Sequence, residues 1–253
     1  MDLSKPINAM LQMIGLKIVR PGKVNRLDET FLGAQYAYDT IVTGDFYAPW
    51  HLDQDFLSIY NEVTNYTLVD VYRCWELFDA VREVRKVPGN LLEVGVWRGG
   101  TGAILARAAR KWKPEATVFL CDTFQGVVKA GANDATYRGG EHSDTSLLTV
   151  ACLMERLGIQ DTVLLQGIFP EETAHKIPDQ GISLCHIDVD VYQSAMDVLS
   201  WVEPRMRPGG MVILDDYGFS TCKGITKLIN EWREHDGWRF IYNLNGHALL
   251  LKY

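Results

Sequence analysis

From about residue 90 onward, the chain alternates short apolar runs with amphipathic segments, and this alternation is the feature that most restricts its fold. Each apolar run is short enough for a buried strand, and each intervening segment has helical spacing. The predicted strands are 91–96, 117–121, 162–166, 182–187, 210–214, 238–242 and 247–252, and the predicted helices are 101–112, 144–157, 192–206 and 223–235. Strands that alternate with helices predict an α/β fold with a doubly wound, mostly parallel sheet of seven strands.

The connection between the last two predicted strands makes this prediction more specific. Only the turn-type cluster 243–246, Asn-Leu-Asn-Gly, separates them. A connection this short holds no crossover helix, so the two strands should form an antiparallel hairpin at one end of the sheet. This order resembles the arrangement of class I methyltransferases more than that of dinucleotide dehydrogenases. By itself the likeness favours a fold and not a chemistry.

Residues 1–89 lack the alternation, and we predict two regions: an N-terminal extension over 1–89 and a catalytic domain over 90–253. The aromatic-rich stretch 46–56 has neither helical nor strand periodicity. It is interpreted as a possible lid, with a packing extension or a dimer contact as alternatives. A packing helix follows, because apolar residues recur at helical spacing. Those residues are Leu68, Tyr72, Trp75, Phe78 and Val81.

The overall composition favours a globular protein that acts on a small molecule. The 253 residues are 47% hydrophobic and 23% charged, and the net charge of -7 argues against a nucleic-acid partner. No stretch approaches about 18 uninterrupted apolar residues, and the first residues lack a signal-peptide pattern. The five cysteines are scattered without C-x-x-C spacing, which disfavours disulfides and zinc. We expect a cytoplasmic homo-oligomer with no membrane partner.

Two acidic pairs end two of the predicted strands. Asp188 and Asp190 follow the strand 182–187, and Asp215 and Asp216 follow the strand 210–214. Carboxyl ends of parallel strands form the ligand-binding crevice of such sheets, and crowded carboxylates there repel one another unless a cation lies among them. The pairs therefore predict a site for a hard divalent ion such as Mg²⁺. Asp190 has an alternative interpretation as a helix cap, with Gln193 three residues on.

A glycine-rich turn after the first strand predicts a nucleoside pocket beside the metal site. Its glycines do not match G-x-G-x-x-G, because Trp97 and Arg98 lie between Gly95 and Gly99. The backbone there would not admit a pyrophosphate, which disfavours a nicotinamide cofactor. S-adenosylmethionine, which has no phosphate, suits the turn better. A kinase is disfavoured as well, because the P-loop motif is absent.

Polar residues at three strand ends complete the predicted cofactor pocket. Glu93 is expected to stabilise the cationic end of the methionine part, and Asp122, with Thr123 after it, to accept hydrogen bonds from the ribose hydroxyls. The segment 166–168, which is Gln166, Gly167 and Ile168, would border the adenine. A turn cap is the alternative role for a strand-end aspartate.

Five motifs, in their order along the chain, resemble those of the macrocin O-methyltransferase family, and the resemblance covers roughly residues 60–250. They are Leu92–Gly100, Cys121–Gly126, Gly167–Thr173, Ile187–Ser194 and Ile213–Tyr217. The resemblance implies methyl transfer from S-adenosylmethionine to a sugar hydroxyl, often on a glycosylated natural product, with magnesium. It also implies Asp188, Asp215 and Asp216 as the metal ligands.

The loop 126–146 and much of 1–60 depart from the better-known family members, so both regions are expected to touch the acceptor. Asp188 is the first choice for the group that takes the proton, and His142 on the loop is the second. Two other functions stay open at this point. One is a catechol or phenol O-methyltransferase, and the other is a non-catalytic module that binds a nucleoside and a metal.

Overall fold

A computed structural model describes residues 47–253 of the chain. The chain divides into two compact units, Met1–Pro49 and Trp50–Tyr253, and the second unit holds the sheet. Most of the first unit, including the first residue of the predicted lid, lies outside the described residues. The functional division at residues 89 and 90 stays a prediction, although the compact unit that contains the sheet already begins at Trp50.

The second unit is built on one seven-stranded sheet, as predicted. Its strands are β1 (Asn90–Val94), β2 (Val118–Asp122), β3 (Thr162–Gln166), β4 (Ile182–Ile187), β5 (Met206–Leu214), β6 (Trp238–Tyr242) and β7 (Ala248–Lys252). They lie in the order β3-β2-β1-β4-β5-β7-β6. The first five in this order pair in parallel, and β7 pairs antiparallel with both β5 and β6. The predicted C-terminal hairpin is therefore confirmed.

Residues 47–253 form six α-helices around this sheet. They are α1 (Gln54–Val63), α2 (Val71–Glu83), α3 (Gly100–Trp112), α4 (Leu147–Arg156), α5 (Tyr192–Val202) and α6 (Lys223–Trp232), and short 3₁₀ turns cover Pro49–His51, Ala174–Lys176 and Glu203–Arg205. The four helices predicted after residue 90 are confirmed in place. Helix α4 begins later than predicted because Ser146 caps it, accepting the Thr149 N–H at 3.1 Å. None of the described helices is long and apolar enough to cross a membrane.

The core lies on both faces of the central strands. Every residue of β1 and of β4 is buried, as expected for parallel strands covered by helices on both sides. Cys121 of β2 and Cys185 of β4, on the two strands that flank β1, are fully buried core residues. Burial raises the pKa of both thiols, so neither is suited to act as a nucleophile.

Helices α1 and α2 attach to the sheet through an aromatic cluster. The Phe56 ring lies 5.2 Å from Trp75 and 5.5 Å from Phe78, and Phe78 contacts Trp112 of α3 at 4.9 Å. The predicted apolar stripe is wrong at its first two residues, and the second of them, Tyr72, lies on α2 but is 41% exposed. Leu68 precedes the helix and is 68% exposed, since α2 starts only after Asp70, whose side chain accepts the Arg73 N–H at 3.0 Å.

Candidate functional site

A cavity of about 280 Å³ opens at the carboxyl ends of the central strands. Its walls come from the ends of β1, β2, β4 and β5, from the segment 66–69 that precedes α2, and from the long loop after β2. The predicted site residues that line it are Gly95, Trp97, Asp122, Thr123, Gly167, His142, Asp188, Asp215 and Asp216. The turn and the acidic pairs therefore meet in one cavity, where the topology of such sheets puts ligands.

The glycine turn brings β1 very close to β4. Gly95 has a φ of 91°, and a Cβ built on it would lie 1.7 Å from the backbone oxygen of Asp188. Any side chain at Gly95 would therefore force the two strand ends apart. Trp97, two residues on, has a φ of 47°, which is unusual for a residue with a side chain.

Asp122 organises this turn with its carboxylate. One oxygen accepts the backbone N–H groups of Val96 at 2.7 Å and Trp97 at 2.8 Å, and the other accepts that of Phe124 at 2.6 Å. These bonds hold the left-handed backbone at Trp97 in place. The cap alternative for Asp122 thus describes part of its role. Because the side chain also lines the cavity, the predicted bond to a ribose stays a prediction.

Trp97 and Arg98 hold the far end of the long loop. The Trp97 Nε1–H donates to Asp144 at 2.8 Å, and the Arg98 guanidinium pairs with the same carboxylate at 2.6 Å. The Thr145 hydroxyl donates to the backbone oxygen of Trp97. The predicted cofactor turn and the predicted acceptor loop are therefore joined by direct contacts. Arg98 does not line the cavity itself.

The structure places Glu93 differently from the prediction. Its side chain is fully buried, its Oε1 lies 2.8 Å from Nδ1 of His186, and its Oε2 faces Gly102 of α3. The carboxylate therefore points to one face of the sheet and not to the strand end, where it would meet a cofactor. His186 is buried with Nδ1 paired to Glu93, while its Nε2 has no hydrogen-bond partner within the described part of the chain.

Three further predicted cofactor residues lie outside the cavity lining. Gly99 caps α3 with a φ of 94°, and a Cβ there would lie 2.9 Å from the side chain of Val150. Gln166 is exposed at the end of β3, and Ile168 donates its N–H to Glu172 at 2.8 Å. Of the predicted adenine border, only Gly167 reaches the cavity.

The acidic residues stand side by side because the sheet continues past its strand ends. The Asp188 N–H donates to Val94 of β1 at 2.9 Å, and the Asp215 N–H donates to Ile187 of β4 at 2.9 Å. These bonds keep the strands in register where the carboxylates begin. Asp188, Asp190, Asp215 and Asp216 all line the cavity, and we call these four the acidic cluster.

The charges of the acidic cluster oppose one another. Burial and then the charges of Asp215 and Asp216 raise the pKa of Asp188 well above its ordinary value. Burial, followed by Asp215 and Asp190, raises the pKa of Asp216 to about 8. Such shifts indicate that the carboxylates cannot all ionise at neutral pH unless a cation joins them.

Asp215 is the exception within the cluster. Burial on its own would raise its pKa, but Coulombic interactions with His247 and Arg73 hold that pKa below its ordinary value. The Arg73 guanidinium donates directly to Oδ1 of Asp215, and Nε2 of His247 lies 3.6 Å from the same oxygen. Asp215 is therefore a fixed anion at the edge of the cluster.

Asp190 does not cap helix α5, so that interpretation was wrong. Its backbone has a φ of 63°, and its carboxylate accepts the Tyr137 hydroxyl at 2.5 Å. The Tyr192 N–H at the start of α5 is satisfied by Asp134 of the long loop, at 2.9 Å. The same Asp134 accepts the Gly131 N–H at 2.9 Å, which anchors the loop.

Residues 47–253 contain two groups of side chains that could hold a metal ion. Donor atoms lie within 4.8 Å of one another in two groups, Asp190 with Asp216 and Cys222, and His186 with Asp215 and His247. The predicted trio takes Asp216 from the first group and Asp215 from the second. Its third member, Asp188, belongs to neither group, but the charges of Asp215 and Asp216 both raise its pKa. The carboxylate oxygens of the cluster fit a hard cation such as Mg²⁺.

Sequence reasoning missed Arg73 and Tyr137. Arg73 lies 142 residues from Asp215, and no pattern in the helix marks it as a partner. Tyr137 lies in the irregular loop, where periodicity carries no information. His142, which was predicted, lines the cavity, and its ring centroid lies 6.1 Å from that of Tyr137.

The sequence profile of the macrocin-O-methyltransferase (TylF) family matches residues 59–240. The chain belongs to this family. The match begins within α1 and ends in β6, so it includes both the glycine turn and the acidic cluster. The resemblance inferred from the five motifs is therefore confirmed.

Two curated family relatives are each 35% identical to the chain. The first is mycinamicin III 3''-O-methyltransferase of Micromonospora griseorubida. The aligned region covers 60% of this chain and 63% of that protein. The second is 8-demethyl-8-(2,3-dimethoxy-α-L-rhamnosyl)-tetracenomycin-C 4'-O-methyltransferase of Streptomyces olivaceus. Here the aligned region covers 54% of this chain and 56% of that protein. The chain thus spans about 56–63% of the length of these two relatives.

Solved structures confirm the fold. The O-methyltransferase NovP superposes with a TM-score of 0.66 at 26% identity, covering 74% of this chain and 82% of that one. The calicheamicin methyltransferase CalS11 superposes with a TM-score of 0.59 at 21% identity, covering 82% and 94%. The seven-stranded sheet with its antiparallel C-terminal strands is therefore a class I methyltransferase fold.

Proposed function

We propose that the protein is an O-methyltransferase that moves a methyl group from S-adenosylmethionine to a hydroxyl of a sugar, with Mg²⁺ as a second cofactor. One observation carries the proposal. The glycine turn with Asp122 and the acidic cluster open into the same cavity, which supports a nucleoside subsite beside a cation subsite. Methyl transfer to an alcohol needs both partners aligned, and a shared cavity supports such alignment.

The cofactor subsite fits S-adenosylmethionine through its backbone. Gly95 and Trp97 line the cavity with a turn that Asp122 fixes through two backbone N–H groups, those of Val96 and Trp97. Phe169 and Val127 add apolar surface beside Asp122, as an adenine ring requires. Asp122 would accept from the ribose hydroxyls with its remaining lone pairs, while Gly167 would border the base.

The metal subsite consists of Asp188, Asp215 and Asp216. When bound, Mg²⁺ would orient neighbouring acceptor hydroxyls and lower the pKa of one of them. The rigid strand ends hold these carboxylates in place. The raised pKa values of Asp188 and Asp216 support the proposal, because a site built for a cation is short of positive charge without one.

The acceptor proton would go to Asp188, whose carboxylate lines the cavity on a strand end next to Gly95. His142 is the second choice, because it lines the same cavity from the loop side. Tyr137, which donates to Asp190, closes the space between the loop and the cluster. An acceptor sugar would then lie between this loop and the carboxylates.

The acceptor class follows from the relatives. The two names refer to a 3''-hydroxyl of mycinamicin III and a 4'-hydroxyl of a rhamnosyl tetracenomycin. We extend from these to a sugar on a glycosylated natural product as the acceptor of this chain. Cytoplasmic location and homo-oligomer formation stay predictions, and light scattering of the purified protein would test the second.

Methyl transfer is tested with radiolabelled S-adenosylmethionine and a panel of acceptors. The panel pairs glycosylated macrolides and rhamnosylated polyketides with their aglycones and includes a catechol. We expect labelled product only from glycosylated acceptors, in the presence of Mg²⁺, and none from Asp215→Asn. Methylation of the catechol alone, or full turnover in EDTA, would contradict the proposal.

A further inference from the structure

A buried polar network stands behind the acidic cluster and reaches it through Asp215. The imidazole of His247, at the start of the β7 hairpin strand, is fully buried. Its Nδ1 lies 2.6 Å from Glu76 of α2, and its Nε2 lies 3.6 Å from Asp215. The ring therefore bridges a carboxylate of an N-terminal helix and a carboxylate of the cavity.

Glu76 is itself fixed by the turn that connects β6 and β7. Asn243 and Asn245 both donate side-chain N–H groups to it, the second at 3.0 Å. Asn245 also accepts the backbone N–H of His247 at 2.9 Å. Helix α2 and the hairpin turn thus hold the imidazole ring from two sides.

Arg73 fixes Asp215 from another direction. Its Nε donates to Asp70 at 2.7 Å, its Nη1 donates to Asp215, and its guanidinium carbon lies 4.9 Å from the centroid of the Phe219 ring. The Asp216 N–H adds a further bond to Asp215, at 2.9 Å. Two of the three groups that hold the Asp215 carboxylate, Arg73 and His247, therefore lie far from it along the chain.

We propose that His247, held by Glu76, is a positioning residue that fixes the Asp215 carboxylate and thereby sets the affinity of the acidic cluster for its divalent cation. The inference rests on the metal subsite of the proposed function. Groups that orient a metal-binding carboxylate through hydrogen bonds commonly change metal affinity about 10–100-fold when they are removed. Nε2 of His247 makes no hydrogen bond among the described residues, so the ring acts on Asp215 through a buried electrostatic contact at 3.6 Å, and it does not line the cavity itself.

The same residues do not favour a separate metal centre of their own. Donor atoms of His186, Asp215 and His247 lie within 4.8 Å of one another. A cation among them would lie against the Arg73 guanidinium, which already pairs with Asp215 where both side chains are almost fully buried. Repulsion between the two positive charges in such a buried place is strong.

The test compares Mg²⁺ binding, measured by calorimetry with the metal alone, in the wild type and in His247→Gln. We expect the variant to bind Mg²⁺ about 10–100-fold more weakly. Affinity for S-adenosylhomocysteine, which uses the other side of the cavity, should stay within about twofold. Glu76→Gln keeps the shape of the side chain and one hydrogen-bond acceptor for His247, so its loss of Mg²⁺ affinity should be smaller than that of His247→Gln. It replaces His247→Gln as the test variant if His247→Gln does not fold.

The matched control is His235→Gln. His235 also faces a glutamate through Nδ1, at 3.4 Å from Glu203, but it is exposed and far from the cavity lining. This variant should bind Mg²⁺ like the wild type, and thermal unfolding should show all three variants folded at the titration temperature.

Two outcomes would overturn the positioning role alone. One is a folded His247→Gln with wild-type Mg²⁺ affinity, and the other is an equal loss of Mg²⁺ and S-adenosylhomocysteine binding, which indicates a general structural effect. Zn²⁺ binding that depends on His186 and His247 while Mg²⁺ binding does not would also overturn it. A wild type that binds no Mg²⁺ would overturn the metal subsite as well, which separates the two failures.

Discussion

The two halves of the cavity satisfy their carboxylates in opposite ways. On the β2 side, the Asp122 carboxylate accepts three backbone N–H groups, two from the glycine turn after β1 and one from Phe124. On the β4 and β5 side, Asp188 and Asp216 face other carboxylates, and their pKa values rise. The first half is complete as the chain folds, whereas the second is short of positive charge. A protein can thus build one subsite ready to bind and leave its neighbour dependent on an ion.

The largest expected effect comes from changing the half that depends on the ion. Asp188→Asn should lose Mg²⁺ binding and reduce kcat about 10²–10⁴-fold, because it removes both a predicted ligand and the predicted base. Steady-state kinetics and calorimetry measure the two effects. His142→Ala should mainly raise the acceptor KM.

If His142→Ala instead lowered kcat by a similar factor with intact Mg²⁺ affinity, and removed a pH–rate limb near about 6.5, the loop histidine would be the base. That result would move the proton chemistry from the strand ends to the loop.

Without a bound metal ion, the thermal stability of the protein should depend on pH. The pKa of Asp216 is raised to about 8, so the folded protein binds more protons than the unfolded chain from about pH 4 up to that value. Stability in EDTA should therefore fall as pH rises through this window, by on the order of 5–10 °C in Tm. Added Mg²⁺ should restore it at pH 8.

Differential scanning fluorimetry at several pH values makes this measurement. In Asp216→Asn, the dependence on pH should flatten. A wild type whose Tm in EDTA rises steadily from pH 5 to 8 would show that the acidic cluster does not lack positive charge. The proposed difference between the two halves of the cavity would then be wrong.

A smaller effect is expected on the half that is already complete. Asp122→Ala removes an acceptor from three backbone N–H groups, so S-adenosylhomocysteine binding should weaken by about 1–3 kcal/mol while Mg²⁺ binding persists. Calorimetry with each ligand separates the two. Asp179→Ala, at an exposed position away from the cavity, is the control. Equal loss of both ligands would mean that the halves are not independent.

The smallest effect should come from the contact that joins the cofactor turn to the loop. Asp144→Ala breaks the exposed pairs with Trp97 and Arg98, which as surface contacts contribute about 0–1 kcal/mol to stability. We expect an unchanged Tm and an acceptor KM raised by a few-fold. A large fall in S-adenosylhomocysteine affinity would show instead that the loop shapes the cofactor subsite.

The fold was predictable because strand and helix periods are local. The positions of Asp122, Asp188 and Asp215 followed from the ends of apolar runs, which meet at one edge of a parallel sheet. Glu93 was not predictable in the same way. A central parallel strand is apolar on both faces, so the sequence does not reveal which face a given side chain takes.

Long-range and loop partners were beyond sequence reasoning for a different reason. Arg73 meets Asp215 only because α2 packs beside β5 and the C-terminal hairpin, across 142 residues of chain. Tyr137 meets Asp190 through a loop that has no period at all. Such contacts are products of tertiary packing and leave no local pattern.

The close approach of Gly95 to Asp188 limits where the protein can be changed to accept other acceptors. A Cβ at Gly95 would lie 1.7 Å from the backbone oxygen of Asp188, so the spacing between the glycine turn and the first carboxylate of the acidic cluster is set by two main chains in contact. Backbone spacing of this kind does not change through mutation of surrounding side chains. Libraries designed to widen the range of acceptors should therefore leave both strand ends untouched and vary the loop 126–146, where a larger or differently shaped sugar can be admitted while the reacting atoms keep their separation.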